Sequence, residues 1–228
     1  MDQSFWEQLA SNPPEERGGY EDLPADSYVV VRTAGEENGK AAPEVRVQEI
    51  KRGERAGETF RQFSVGLITV GGDSKIQESI HNNKMIYMSS YLEPSEKELA
   101  HSPDQKVAGR FMGFLNALFA SGVAEGTKDA KARSAARSSK TFSVLQKVAQ
   151  ETGLALSDYE GNTARYLAGL TVKALLAEPR KLSIKTKLRT YENDGEKRNQ
   201  IEVGSYEDFS AANVAKRKIT VFGPTAEF

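Results

Sequence analysis

Lys185, Lys187 and Arg189 recur at every second position of SIKTKLRTYENDGEKRNQIEV, residues 183–203, and Tyr191 continues the series. In an extended strand alternate side chains share a face, so three cations and a ring project one way while Ile184, Thr186, Leu188 and Thr190 project the other. A row of this kind suits recognition of an anionic polymer, not bond-making. Asn193-Asp194-Gly195 is a turn signal and Arg198-Asn199-Gln200-Ile201-Glu202-Val203 alternates again, so the segment is expected to be a β-hairpin with a basic outer surface. The competing role is that of an ordinary solvated strand face, where lysine discourages edge pairing.

Further cations and rings lie earlier in the chain. Arg46 stands in the alternating EVRVQEIKR, residues 44–52, while Phe60, Arg61 and Phe63 place two rings beside a cation in ETFRQFSVGLITV, residues 58–70. Their odd spacing means that they do not all share one face unless a bulge intervenes. Tyr87 and Tyr91 in MIYMSSYLE, residues 85–93, and Lys173 are weaker candidates, and burial in a core is the alternative for each ring. The run TKDAKARSAARSS, residues 127–139, adds Lys131, Arg133 and Arg137. Without bulky apolar residues it is either a solvated helix or a mobile flap that closes over a polyanion.

Cysteine is absent, which removes disulfides, thiolate metal sites and cysteine nucleophiles. His81, in HNN, and His101, in HSP, have polar neighbours that point to surface loops rather than to metal ligation or acid–base work. The pairs Glu15-Glu16 and Glu36-Glu37 lie in polar loops without the burial that shifts a pKa, and no phosphate-cradling glycine loop or nucleophile elbow occurs. The chain therefore reads as a non-enzyme with no metal and no cofactor, the one catalytic alternative being a divalent-metal nuclease built from scattered Asp and Glu. No apolar run reaches the roughly 18 residues that span a bilayer, and the opening MDQSFWEQL is acidic where a secretory signal is basic. A soluble intracellular protein, away from membranes, is expected.

The net charge is only −1, so binding to a polyanion requires segregated charge rather than a global excess. Asp2, Glu7, Glu15, Glu16, Glu21, Asp22 and Asp26 oppose a single Arg17 at the start of the chain, whereas residues 105–147 hold eight basic groups against Glu125 and Asp129. Residues 1–25 read as an acidic arm in which Phe5, Trp6 and Leu9 cluster ahead of Pro13-Pro14 and Gly18-Gly19. Residues 26–204 read as one domain, and 205–228 as an extension.

Strands are predicted at 26–34, 44–52, 58–70 and 85–93 from their β-branched and alternating residues. Ser102-Pro103-Asp104 then punctuates the start of a helix along which Val107, Phe111, Phe114, Leu115 and Leu118 recur, with Gly122 as its stop. Phe142, Leu145, Val148 and Ala149 form a second, short amphipathic helix ending at Gly153. After this helical insertion, residues 103–153, the alternation of Leu170, Val172, Ala174 and Leu176 predicts a strand at 166–178, ahead of the basic hairpin and a weak strand at 218–222.

Strands and helices do not alternate here as a parallel α/β sheet requires. The order fits a mainly β fold, a five-stranded oligonucleotide-binding (OB) barrel with helices between its third and fourth strands. An α+β sheet with clustered helices is the alternative. YEDLPADSYVVVRTAGEENGKAAPEVRVQEIKRGERAGETF, GRFMGFLNALFASG and YLAGLTVKALLAEPRKLSIKTKLRTYENDGEKRNQIEV resemble the bacteriophage single-stranded-DNA-binding proteins of the OB fold. The resemblance lies in a Leu-Pro-x-x-x-Tyr lead-in, a helix with an aromatic and leucine face, a Leu-x-Gly strand and a Tyr-x-x-(Asp/Gly)-Gly-x-x-x-Asn hairpin. Where those proteins carry a long acidic tail ending in Phe, this chain has only Glu227-Phe228.

The resemblance implies sequence-tolerant binding of single-stranded DNA, without catalysis, in phage replication or recombination within the cytoplasm of an infected bacterium. Replication or recombination proteins and further copies of the chain are the implied partners. Phosphates fall to Lys185, Lys187, Arg189, Arg46 and Arg61, and stacked bases to Tyr191, Phe60 and Phe63. A non-enzymatic protein-interaction or structural phage protein on the same fold is the second reading, to which the Phe5 and Trp6 arm lends support.

Overall fold

The computed structural model describes residues 23–50, 56–92, 103–193 and 196–223, with the side chains of 103–110 and 191–199 outside the description. Tyr28–Thr33 (β1), Glu44–Glu49 (β2), Thr59–Gly72 (β3) and Met85–Tyr91 (β4) form where the sequence is β-branched or alternating, and a 3-10 turn at Glu36–Ala41 joins β1 to β2. β3 is the spine. It runs antiparallel to β2 along Thr59–Ser64, to β1 along Leu67–Gly72, and to β4 along Gln62–Ile68. Because β4 overlaps both of the other registers, it must take the opposite edge of β3, leaving β1 and β2 end to end on the first.

A single helical turn at Glu78–His81 (α1) precedes β4 and buries His81, whose Nδ1 accepts a hydrogen bond from the Gln77 N–H at 2.8 Å. This corrects the surface-loop expectation for His81; His101 lies outside the described residues. Pro103–Phe119 (α2) buries Phe111, Phe114, Leu115 and Leu118, as the helical spacing predicts. Ala130–Thr152 (α3) is one helix of 23 residues, so the basic run and the short amphipathic helix after it are parts of a single element. Asp129 caps its start by accepting from the Lys131 and Ala132 N–H groups, and Gly153 ends it with a φ of 71°. The basic half carries no apolar stripe, and Thr141 and Leu145 anchor the helix downstream.

Residues 166–178, expected as a strand, belong instead to the helix Thr163–Ala177 (α4). Leu167, Leu170, Thr171, Ala174 and Leu175 are its buried stripe, spaced by three and four, and Ala and Leu favour helix over strand. The Asn162 side chain caps it by accepting from the Arg165 N–H at 2.9 Å. Lys181–Asn193 (β5) and Glu196–Glu207 (β6) then form the expected hairpin, followed by Ala211–Arg217 (α5) and Thr220–Val221 (β7).

The strands make one antiparallel sheet in the order β2-β3-β1-β5-β6, with β4 and β7 on the remaining edge of β3. The expected five-stranded barrel is thus replaced by a seven-stranded sheet that does not close, since no ladder joins β4 to β6 among the described strands. The opening holds α2, which packs on β4, β5 and β6. Phe114 sits 5.8 Å from the Phe63 ring of β3 and 5.2 Å from the Tyr206 ring of β6. One core follows: Val29, Val31, Phe63, Val65, Leu67, Leu182 and Ile184 from the sheet meet Phe111, Phe114, Leu115, Leu170 and Leu175 from the helices. Each such side chain stabilises by about 1.5–3 kcal/mol on full burial. The long helices therefore cover one face of the sheet and leave much of the other to solvent. Among the described residues no helix is long and apolar enough to cross a membrane.

Candidate functional site

The basic row is in place on β5. Lys185 lies opposite Ser205, Lys187 opposite Glu202 and Arg189 opposite Gln200, all on the face turned away from the core, while Ile184 and Thr186 are buried. The register shifts at Lys185/Thr186 because β6 carries an extra residue, Gly204. A Cβ there would stand 3.1 Å from the Lys185 carbonyl oxygen and 3.3 Å from the Lys187 Cβ, so glycine lets the two strands stay paired through the bulge. With the extra residue on β6, the alternation on β5 continues unbroken. Tyr191 is opposite Arg198, and its side chain lies outside the description.

These cations are not bare. Thr186 staples the incoming chain, donating from Oγ1 to the Pro24 carbonyl at 2.6 Å and accepting from the Ser27 N–H at 3.0 Å. The staple places Asp26 beside Lys185, 3.2 Å away. Lys187 and Arg189 share one carboxylate, Glu202, at 2.9 and 3.3 Å. The hydrogen bond from Lys187, with help from Arg189, pulls the Glu202 pKa below its ordinary value. Two cations on one carboxylate leave net positive charge, with Lys187 54% and Arg189 63% exposed. Exposed ion pairs are worth about 0–1 kcal/mol, so these carboxylates hold the cations only weakly.

The same face carries rings on β3 and β4. Register opposites share a face, which aligns Arg46, Gln62 and Tyr91 in one row across β2, β3 and β4, with Phe60 beside Gln48 in the next. Phe60 and Tyr91 meet at 5.1 Å between ring centres, tilted by 57°. Tyr87 and Tyr91, the weaker candidates on sequence grounds, are the most exposed tyrosines among the described residues, at 55% and 57%. Arg46 is held flat by Glu44 (Nε to Oε1, 2.6 Å) and by the Lys40 carbonyl (2.9 Å). Phe63 is corrected: it is wholly buried against Phe111 and Phe114, with no surface on which a base can stack. Arg61 follows the parity of Phe63 and lines a 130 Å³ pocket with Asp158, Tyr159, Glu160 and Arg165, apart from Phe60. Between the ring patch and the β5 row lies the 36–41 turn, whose Ala41 covers Ile68 together with Ala34 and Met85.

The remaining candidates sit on helices. Lys173 is an exposed residue of α4, apart from the β5 row. Lys131 and Arg133 are exposed on α3, and Arg137 is ion-paired with Asp208 just beyond β6. Asp208 is nearly buried, and burial pushes its pKa up to about 6 against the opposing pull of Arg137. Alongside, Arg217 of α5 pairs with Glu207 at 3.0 Å and lies 3.9 Å above the Tyr28 ring. These α5 cations were not singled out from the sequence. Ser210 as a cap, with Lys216-Arg217 in the last turn, was the helix signal that could have marked them. Comparison with family models, curated proteins and solved structures finds no match to this chain.

Proposed function

We propose that this protein binds single-stranded DNA without sequence preference, as a non-enzymatic partner of phage replication or recombination, on an open OB-type scaffold. The reading rests on exposed rings and exposed cations sharing the face of one sheet that the three long helices leave uncovered. Phosphates take the places of Asp26 and Glu202 on Lys185, Lys187 and Arg189, while unstacked bases settle on Tyr87 and on the Phe60–Tyr91 pair. The pairing supports the scaffold. If β1 and β2 count as one interrupted first strand, then β3, β4, β5 and β6 follow as second to fifth, and the helices fall between third and fourth. OB folds are partly open barrels that bind oligonucleotides on their second and third strands, here the ring-bearing β3 and β4. The likeness of the LPADSY lead-in and the YENDGEKRN hairpin to the phage proteins supports the biological setting.

Fluorescence anisotropy with labelled oligo-dT across a salt series tests this. Neutralising the row (K185Q/K187Q/R189Q) is expected to weaken binding at least tenfold at low salt and, at about 0.7 per phosphate contact, to flatten the log–log salt slope by about 2. Circular dichroism should be unchanged. Wild-type affinity and slope in that variant would overturn the assignment, and salt-insensitive association with protein alone would favour the interaction reading.

A further inference from the structure

We propose that the pocket between α3 and α5 is a second phosphate subsite, onto which the bound strand passes from the β5 row by way of Tyr28. This inference rests on the single-strand reading above and extends it to the helices. The path follows from register: Lys185 lies opposite Tyr28, and the Tyr28 ring lies beneath the Arg217 guanidinium. Arg217 in turn holds Glu207, the residue opposite Ser183 and two positions from Lys185 along the same face. Beyond Arg217 opens a cavity of about 470 Å³ lined by Arg133 and Arg137 from α3 and by Lys216 and Arg217 from α5.

Three features suit the pocket to an anion. Arg133 and Lys216 are exposed and make no ion pair among the described residues; the Arg133 guanidinium donates to the Thr127 carbonyl, at 3.2 Å. The Nε–H groups of Arg137 and Arg217 are buried without an acceptor, leaving donor capacity that an anion can meet once the side chains shift. The carboxylates present, Glu125, Glu207 and Asp208, oppose an anion; Asp208 is paired with Arg137 and Glu207 with Arg217 through Oε1, while Glu207 Oε2 is buried without a donor. Asp208, with a pKa near 6, can also take up a proton.

That last property gives a signature. Asp208 is faced by Arg133 and Arg137 of α3, by Lys216 and Arg217 of α5, by Glu125 of the α2–α3 loop, and by Tyr206 and Glu207 of β6. A phosphate among them raises the carboxyl pKa further, so the bound state holds more protons and affinity rises as pH falls from 7 to 5. Phosphodiesters do not titrate in this window.

The test uses the full chain with labelled dT4 and dT16, the extremes of the site size of one OB fold. R133Q/K216Q is expected to weaken dT16 about tenfold and to flatten its salt slope by about 1.4, two phosphates at 0.7 each, while leaving dT4 unchanged. The gain in dT16 affinity at low pH should vanish in D208N. Wild-type affinity and slope for dT16 in R133Q/K216Q, with K185Q/K187Q/R189Q still weakened, would overturn the subsite and leave the single-strand reading standing. Failure of the wild-type chain to bind either oligonucleotide would remove both.

Discussion

Phe63 and Tyr91 are rings on paired strands, and the pleat alone separates their roles. Phe63 points into the core and Tyr91, opposite Gln62, into solvent. Truncating Phe63 to Ala should therefore cost about 3–5 kcal/mol in urea unfolding, the range for a buried aromatic. Tyr91→Ala should cost less, at most about 1.5 kcal/mol for the lost ring contact with Phe60. It should still cost oligo-dT about 1–3 kcal/mol of binding, one stacked base, by anisotropy. The reverse pattern would remove the ring patch from the site. The parity that makes this division is present in the sequence, although the expectation of base stacking at Phe63 passed over it. Phe63 shares its parity with Val65 and Leu67, whereas Phe60 shares its parity with Gln62, Ser64 and Gly66, so the apolar file marks the inner face. What the sequence did not carry was the pairing of the cations, because Asp26 and Glu202 reach Lys185 and Lys187 only through tertiary register.

Among the elements, α4 departs furthest from its sequence pattern, and Gly169 shows what holds it. A Cβ at Gly169 would lie 2.5 Å from Cζ of Tyr159, whose ring also packs at 5.8 Å on Tyr166. The Tyr159 ring thus occupies the space that a side chain at residue 169 would fill, and any larger residue there must displace it. Gly169→Ala is expected to destabilise by about 1–3 kcal/mol through overpacking, although alanine is the better helix former. In a Tyr159→Ala background the same change should stabilise by about 0.5–1 kcal/mol, since only the propensity difference is left. A double-mutant cycle by thermal or urea unfolding measures the reversal of sign; equal costs in both backgrounds would show that the ring does not dictate the glycine. The Leu-x-Gly pattern was visible, but a glycine inside an apolar run serves strand bulges and helix contacts alike, and the partner that decides is a ring ten residues away. The β1, β2, β3 and β4 strands and the hairpin were legible from β-branched and alternating residues, although β1 and the middle of β3 are buried on both faces. α4, apolar on most sides, offered Leu170, Val172, Ala174 and Leu176 as a false period of two.

At the scale of the molecule, the sheet stays open between β4 and β6 and a helix does the work of the missing ladder. Phe114 is the joint, touching Phe63 of β3, Phe111 of its own helix and Tyr206 of β6. Burial at this joint raises the Tyr206 hydroxyl pKa to about 12, because the phenolate has lost its water. The folded state therefore keeps that proton where the unfolded chain, near 10, gives it up, and stability declines as pH climbs from 10 towards 12. Phe114→Ala should cost about 3–5 kcal/mol, and, if α2 is what seals the opening, water reaches Tyr206 and its pKa falls back towards 10. Ultraviolet titration of tyrosinate, compared between wild type and Phe114→Ala under conditions where both are folded, reads this directly. A stability loss with Tyr206 still titrating near 12 would mean that the void is dry and the seam is held by β6 and its neighbours without the ring. A fall of a unit or more would identify α2 as the closure of the sheet. It would also explain how one core holds the sheet together while β4 and β6 stay unpaired with each other.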